Sequence, residues 1–169
     1  MSLFRGFPKK ADFLLKNIFV YPPRSPFLEY RKQSDFFRKM GDIMLPIDTK
    51  FIVVDNISHH LRLAASLCSD GKGRTSLLDE FFGSQLFPFI MRCLREGIVL
   101  ILIHEVSFDP SSGRIKPFFD KLYSRINSVN ICMSKSFKSG RKQVEITARG
   151  DEDGKKVPYK IKDRGIVVL

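Results

Sequence analysis

The sequence predicts an α/β fold in which buried parallel strands lead into a C-terminal antiparallel extension. Residues 50–55 and 98–103 are almost continuously apolar, the pattern of parallel strands that are covered on both faces. A helical pattern lies between these two runs, so strand and helix alternate. Shorter strand-like runs then follow one another with turn residues between them, which is typical of hairpins. Together these observations predict a mixed sheet with flanking helices.

The N-terminal part is expected to contain a strand, a helix and a second strand. Residues 17–21 are a β-type run that Pro22 and Pro23 end. Over residues 26–44, Phe, Tyr and Met recur at mostly helical spacing, and basic residues fall mainly on the other face. The run at 50–55 follows and ends in the acid Asp55.

A long helix is predicted between the two apolar runs. Ser76 has the side chain of an N-cap, Asp79 and Glu80 fall in the first turn, and an apolar stripe continues to Leu94. Gly97 ends this helix. Residues 69–73, which contain two glycines, are predicted to be a flexible loop before it.

Beyond the second apolar run, the sequence predicts a loop over residues 107–116 and a short helix over 118–123. Three strands are then expected at residues 125–133, 143–148 and 157–162, separated by turns at 139–140 and 153–154. The chain of 169 residues is long enough to bury a core and is predicted to be a single domain.

The charge of the chain favours a polyanionic partner. Its 29 basic and 18 acidic residues give a formal net charge of +11, and a positive charge of this size attracts nucleic acid. The three cysteines are odd in number and widely spaced, which predicts a reducing, cytoplasmic location. No secretory signal is apparent, and the longest apolar run is too short to cross a bilayer, so no membrane partner is expected.

Motifs for catalysis are missing from the sequence. A phosphate-binding loop has the form G-x-x-x-x-G-K-[ST], and neither Gly71-Lys72 nor Gly154-Lys155 is followed by the required hydroxyl. No pattern supports Ser-His-Asp or Cys-His catalysis. His59 and His60 are adjacent, so on a helix they diverge too far to share one metal ion easily. We expect no catalytic residue, no cofactor and no metal.

Two kinds of candidate site remain. Acids and polar residues at the ends of buried parallel strands lie where α/β sheets bind ligands, so Asp55, His104 and Glu105 are candidates for a degenerate nucleotide site, although each could simply begin a polar loop. Basic residues in flexible segments suit contacts to the phosphates of DNA, although each segment could equally be a solvated turn. These candidate DNA-binding residues are Arg62, Lys72, Arg74, Arg114, Lys116, Lys135, Lys138, Arg141 and Lys142.

The order of these pieces resembles the recombinase branch of the RecA superfamily, closest to archaeal RadA and RadB proteins and their paralogs. Residues 51–58 look like that family's Walker B strand, and residues 99–107 are similar to the strand that precedes its second DNA-binding loop. Residues 69–75 occupy the place of its first DNA-binding loop, and residues 157–161 and 164–166 match its closing pattern. His104-Glu105 stands in place of Asn-Gln, and Phe118-Phe119 in place of two glycines.

The resemblance implies a truncated RecA-like core that lacks the Walker A strand and helix. Such a paralog would not hydrolyse ATP alone; it would bind single- or double-stranded DNA, or a RadA-type recombinase or other paralog, and modulate homologous recombination and DNA repair. The missing strand would leave an open sheet edge, a re-paired sheet or a homodimer. One alternative is a split subunit whose P-loop lies on another chain. Another is a pure protein-interaction module that docks a partner through the Phe-rich helices at 27–44 and 81–89.

Overall fold

The fold is mixed α/β, as the sequence predicts. The computed structural model describes residues 13, 15–22, 27–40, 45–111, 113–135, 142–147, 154–162 and 165–169. They form two compact units. One lies within residues 22–125, and the other combines described residues up to 21 with those from 126 onward. That the chain is one domain stays a prediction.

The unit within residues 22–125 carries helices and two small sheets. Its helices are α1 (Tyr30–Lys39), α2 (His59–Ser66), α3 (Gly71–Phe81), α4 (Phe87–Arg95) and α5 (Asp120–Tyr123). Its strands are β1 (Phe51–Val54), β2 (Val99–Leu102), β3 (Val106–Asp109) and β4 (Arg114–Pro117). A π-helical turn, Phe82–Leu86, joins α3 to α4.

The two apolar runs pair in parallel, in register from Phe51 opposite Val99 to Val54 opposite Leu102. The prediction that these strands are buried on both faces is wrong. Phe51 and Val53 on β1, and their register partners on β2, are between 44% and 65% exposed, whereas the alternate residues are half-buried. In the described part of the chain this sheet has only these two strands, so one face of the pair lacks the cover that parallel strands normally receive.

The long helix begins earlier than predicted. Asp70 is its N-cap, and the Asp70 side chain accepts a hydrogen bond of 2.6 Å from the backbone N–H of Gly73. Ser76 therefore lies inside α3, and Gly71 to Gly73 form a helical turn rather than a loop. The glycines suggested a break, but a well-placed aspartate cap satisfies the free N–H groups of the first turn. Gly97, with φ of +65°, follows α4 as predicted.

The core of this unit lies between α1, α2 and the long helix. Phe37 of α1 packs edge-to-face on Phe81 and also contacts Phe89, with ring centroids 6.3 Å and 5.8 Å apart. Leu61 and Leu86 are fully buried beside them. Aromatic residues thus fill the core, whereas Phe87 on the outer face of α4 is 47% exposed.

Three other local predictions need correction. Residues 17–21 form no strand, because a short run gains little without a neighbouring strand to pair with. The helix predicted over 26–44 is α1, which is shorter. The loop predicted over 107–116 is instead an antiparallel hairpin of β3 and β4. The short helix predicted over 118–123 is confirmed as α5.

The second unit contains an antiparallel sheet in the order β5-β6-β7-β8. Its strands are β5 (Asn130–Lys135), β6 (Lys142–Thr147), β7 (Lys155–Lys162) and β8 (Gly165–Val168). The antiparallel extension is confirmed, and β8 is an additional strand. The predicted turn at 139–140 lies outside the described residues.

Candidate functional site

The carboxyl ends of β1 and β2 meet at one edge of the parallel pair. Asp55 follows β1, and His104 and Glu105 follow β2. The backbone N–H of Ile57 donates to the carbonyl of Ile103 at 3.0 Å, and the N–H of Glu105 donates to the fully buried Ser58 hydroxyl at 2.8 Å. These bonds fasten the start of α2 to the end of β2, so α2 presents its first turn to Glu105.

Glu105 is held by two side chains of α2. Its Oε1 lies 2.7 Å from Nδ1 of His59, and its Oε2 accepts a hydrogen bond of 2.8 Å from Nε of Arg62. The bonds from His59 and, next, from Arg62 hold the pKa of the Glu105 carboxyl below its usual range. Solvent reaches all three groups, since the side chains of His59, Arg62 and Glu105 are 43%, 35% and 27% exposed.

Two adjacent phenylalanines support two of the arginines. The guanidinium of Arg62 lies over the Phe118 ring at 5.2 Å, and that of Arg74 over the Phe119 ring at 5.8 Å. The Phe118 N–H donates to the Glu105 carbonyl at 3.0 Å. Stacking on an aromatic face fixes the plane of a guanidinium and leaves its edge open to hydrogen-bond acceptors.

His104 is half-buried and packs on an aromatic residue of α5. Its ring packs edge-to-face on Tyr123 with centroids 4.2 Å apart, and burial lowers the pKa of the imidazole. Burial likewise raises the pKa of the Tyr123 hydroxyl. Among the described residues, neither His104 Nδ1 nor the Tyr123 hydroxyl has a hydrogen-bond partner. His104 is therefore placed to pack against α5.

Asp55 is exposed and makes no hydrogen bond or ion pair with another described residue. It is at the sheet edge where the sequence places it, but the structure gives it no neighbour that orients its carboxylate. Within the described ranges, no three His, Cys, Asp or Glu side chains are grouped so that they could hold a metal ion.

The structure brings some of the predicted DNA-binding residues together and separates others. Lys72 and Arg74 lie exposed in the first turns of α3. Arg62 and Arg74 lie over the rings of Phe118 and Phe119, whose centroids are 6.4 Å apart. Lys116 forms an ion pair of 2.9 Å with Asp109 across the β3–β4 hairpin.

The other predicted basic residues are on strands or beyond the described ranges. Arg114 lies in β4. Lys135 and Lys142 face each other in register on β5 and β6, in the second unit. Lys138 and Arg141 lie outside the described residues.

His59 is the residue that reasoning from the sequence missed. In the sequence it stands out only as half of an adjacent His pair, whose spacing is poor for binding a metal ion. The spacing of His59 and Arg62, three residues apart, places both on one face of a helix, and this signal could have identified the pair that binds Glu105.

No known protein family matches the chain, and no curated protein matches it in sequence. Within the part of the chain that the structure describes, no helix is both long enough and apolar enough to span a membrane.

Proposed function

We propose that the chain is a non-catalytic paralog of the RecA-type recombinases that binds DNA, or a recombinase partner, and modulates homologous recombination and repair. The proposed core is RecA-like and lacks the Walker A strand and helix. The parallel pairing of β1 with β2, with Asp55 at its carboxyl edge, is consistent with this origin. So is the backbone of Phe119, which lies in the left-handed region (φ 60°) at a position where the resemblance has glycine.

The observation that carries the proposal is the arrangement of cations on α2 and α3. Arg62 and Arg74 are held on the rings of Phe118 and Phe119, and Lys72 is exposed in the first turn of the helix that carries Arg74. Oriented guanidinium groups bind phosphate oxygens well, because less side-chain freedom is lost on binding. The charge of +11 on the whole chain adds a long-range attraction to the same kind of partner.

The residues that would have to hold the nucleotide support the proposal of binding without hydrolysis. Gly71, Lys72 and Gly73 form the first helical turn of α3 and come after helix α2, whereas a phosphate-binding loop comes after a buried strand. Glu105, which stands in place of a phosphate-sensing residue, already has both oxygens bonded within the chain.

A second candidate is a split ATPase subunit whose P-loop is supplied by another chain. It is favoured by the exposed apolar face of the β1–β2 pair and by the exposed Asp55 carboxylate beside it. A partner strand with its helix would cover that face. ATP turnover that appears only when such a partner is added would support this candidate over the first.

Fluorescence anisotropy with labelled single- and double-stranded DNA tests the leading proposal. Replacing Lys72 and Arg74 together with alanine should weaken binding at low salt and reduce the slope of log K against log salt by about 2. Arg95→Ala is the control because it also removes a cation, from the far end of the same helical stretch, roughly 30 Å away at about 1.5 Å per residue. Because the control removes one cation and the double variant two, a loss in log K for the double variant no larger than about twice that for Arg95→Ala would leave only a general charge effect.

A further inference from the structure

We propose that His59 and Arg62 form an anion subsite for one phosphate group of a polyanionic ligand, and that Glu105 occupies this subsite until the ligand displaces it. The inference rests on the proposed DNA binding and deepens it. It adds a histidine to the binding residues and makes Glu105 an internal competitor.

The geometry around Glu105 is that of a small anion between two donors. One carboxylate oxygen lies 2.7 Å from His59 Nδ1, and the other accepts from Arg62 Nε at 2.8 Å. Two adjacent oxygens of a phosphate can meet the same two donors, since guanidinium groups bind carboxylates and phosphates in similar ways. The carboxylate thus stands where a phosphate would bind.

The two donors of the subsite are held in place by contacts within the fold. Arg62 is supported by the Phe118 ring at 5.2 Å, and α2 is fastened to the end of β2 through the buried Ser58 hydroxyl, which accepts from the N–H of Glu105. The backbone of Glu105 is therefore fixed, while its side chain can rotate away. The donors would stay in place when the carboxylate leaves.

The subsite is also open to a ligand. The side chains of His59 and Arg62 are 43% and 35% exposed. Nε is the Arg62 nitrogen that bonds Glu105, so the terminal guanidinium nitrogens add further donors. Arg74, held on the neighbouring Phe119 ring, could contact the next phosphate along a chain. Asp55, exposed at the end of β1, adds a negative charge at the same sheet edge and would oppose the ligand.

Glu105→Gln removes the competing charge and keeps the size of the side chain. Anisotropy with a labelled DNA oligonucleotide should show affinity higher by roughly fivefold at low salt, the scale of one surface charge contact, and a salt slope steeper by about 1. Glu96→Gln is the matched control, because Glu96 also forms an ion pair with an arginine, Arg92, at the far end of the helix. The double variant Glu105→Gln/Arg62→Ala should lose the gain.

The outcomes separate the two proposals. If Glu105→Gln binds DNA with the same affinity as the wild type, the subsite proposal is overturned but DNA binding stands. The same holds if Glu96→Gln raises the affinity as much as Glu105→Gln does. Binding by Glu105→Gln alone supports a subsite that Glu105 keeps closed. No DNA binding by either protein at low salt, with circular dichroism showing both folded, overturns both proposals.

Discussion

Phe119 has its backbone in the left-handed region, with φ of 60° and ψ of 38°. A Cβ in this conformation crowds the backbone carbonyl and costs about 1–2 kcal/mol, a cost that glycine avoids. The aromatic side chain stays there with Arg74 over its ring. The strained backbone of Phe119 thus belongs to the residue whose ring supports Arg74 of the candidate site.

We expect Phe119→Gly to be more stable than Phe119→Ala by about 1 kcal/mol, because both lose the ring and only alanine keeps the strain. Phe118 supplies the control: its φ is not positive, so glycine there should be no more stable than alanine. Urea unfolding followed by circular dichroism measures both pairs. Equal stability of the two Phe119 variants would show that the backbone is not strained.

His104 makes stability depend on pH. Burial lowers the pKa of the folded imidazole below the ordinary value of 6.5, so the unfolded chain takes up a proton first as the pH falls. The contribution of neutral His104 to stability is therefore complete above about pH 6.5 and is lost as the pH falls through lower values. Its Nδ1 has no hydrogen-bond partner among the residues that the structure describes, so no bond there compensates a positive charge.

Between about pH 7.5 and 5.5, the melting temperature of the wild-type chain should fall more than that of His104→Gln, which cannot titrate there. Glu105 does not interfere, since its lowered pKa places its own loss of stability at more acidic pH. Parallel pH profiles for the two proteins would contradict a buried neutral His104.

At the residue scale, the sequence predicts where the polar residues at the strand ends lie better than it predicts what surrounds them. Asp55, His104 and Glu105 follow from the apolar runs that precede them, and the structure does place them at the strand ends. Their different surroundings depend on contacts that are distant in sequence: Glu105 meets α2 and His104 meets Tyr123. No local pattern reports such pairings.

The helix that starts at Asp70 is the clearest case at the scale of elements. Asp70→Ala should destabilise the chain by about 1 kcal/mol, because the N–H of Gly73 loses its acceptor. Ser76→Ala should change stability by no more than about 0.5 kcal/mol, or increase it slightly, since alanine is the better helix former inside α3. Urea denaturation of both variants measures the difference. A larger loss at Ser76 would place the helix start there, as the sequence alone predicts.

Strongly periodic or continuously apolar segments were predictable as elements, and segments with weak or short patterns were not. The parallel pair, the long helix and the antiparallel strands follow from their patterns. The β3–β4 hairpin does not, because its strands are short and the polar residues of its turn make the whole run look like a loop. In that turn, Asp109 Oδ1 accepts a hydrogen bond of 3.0 Å from the N–H of Ser111. The run at 17–21 fails for the opposite reason: it has β-formers but no strand partner.

At the scale of the whole molecule, the exposed face of the β1–β2 pair is the main departure from the sequence prediction. A continuously apolar run indicates that a strand is suited to burial on both faces, but it does not indicate which element or partner covers those faces. If the proposed function is right, a recombinase or a second copy of the chain is a fitting partner for this face. The other partner that we propose is DNA, to which the charge of the chain and the supported arginines of α2 and α3 are suited.

The salt dependence of DNA binding, measured with and without ATP and magnesium, tests the central claim most directly. We expect binding at about 50 mM salt that weakens linearly on a log–log plot as salt rises, because the contacts release counterions from phosphates. The affinity should be the same with and without the nucleotide, since the sequence contains no G-x-x-x-x-G-K-[ST] motif. No binding at low salt, or binding that requires ATP, would contradict the account.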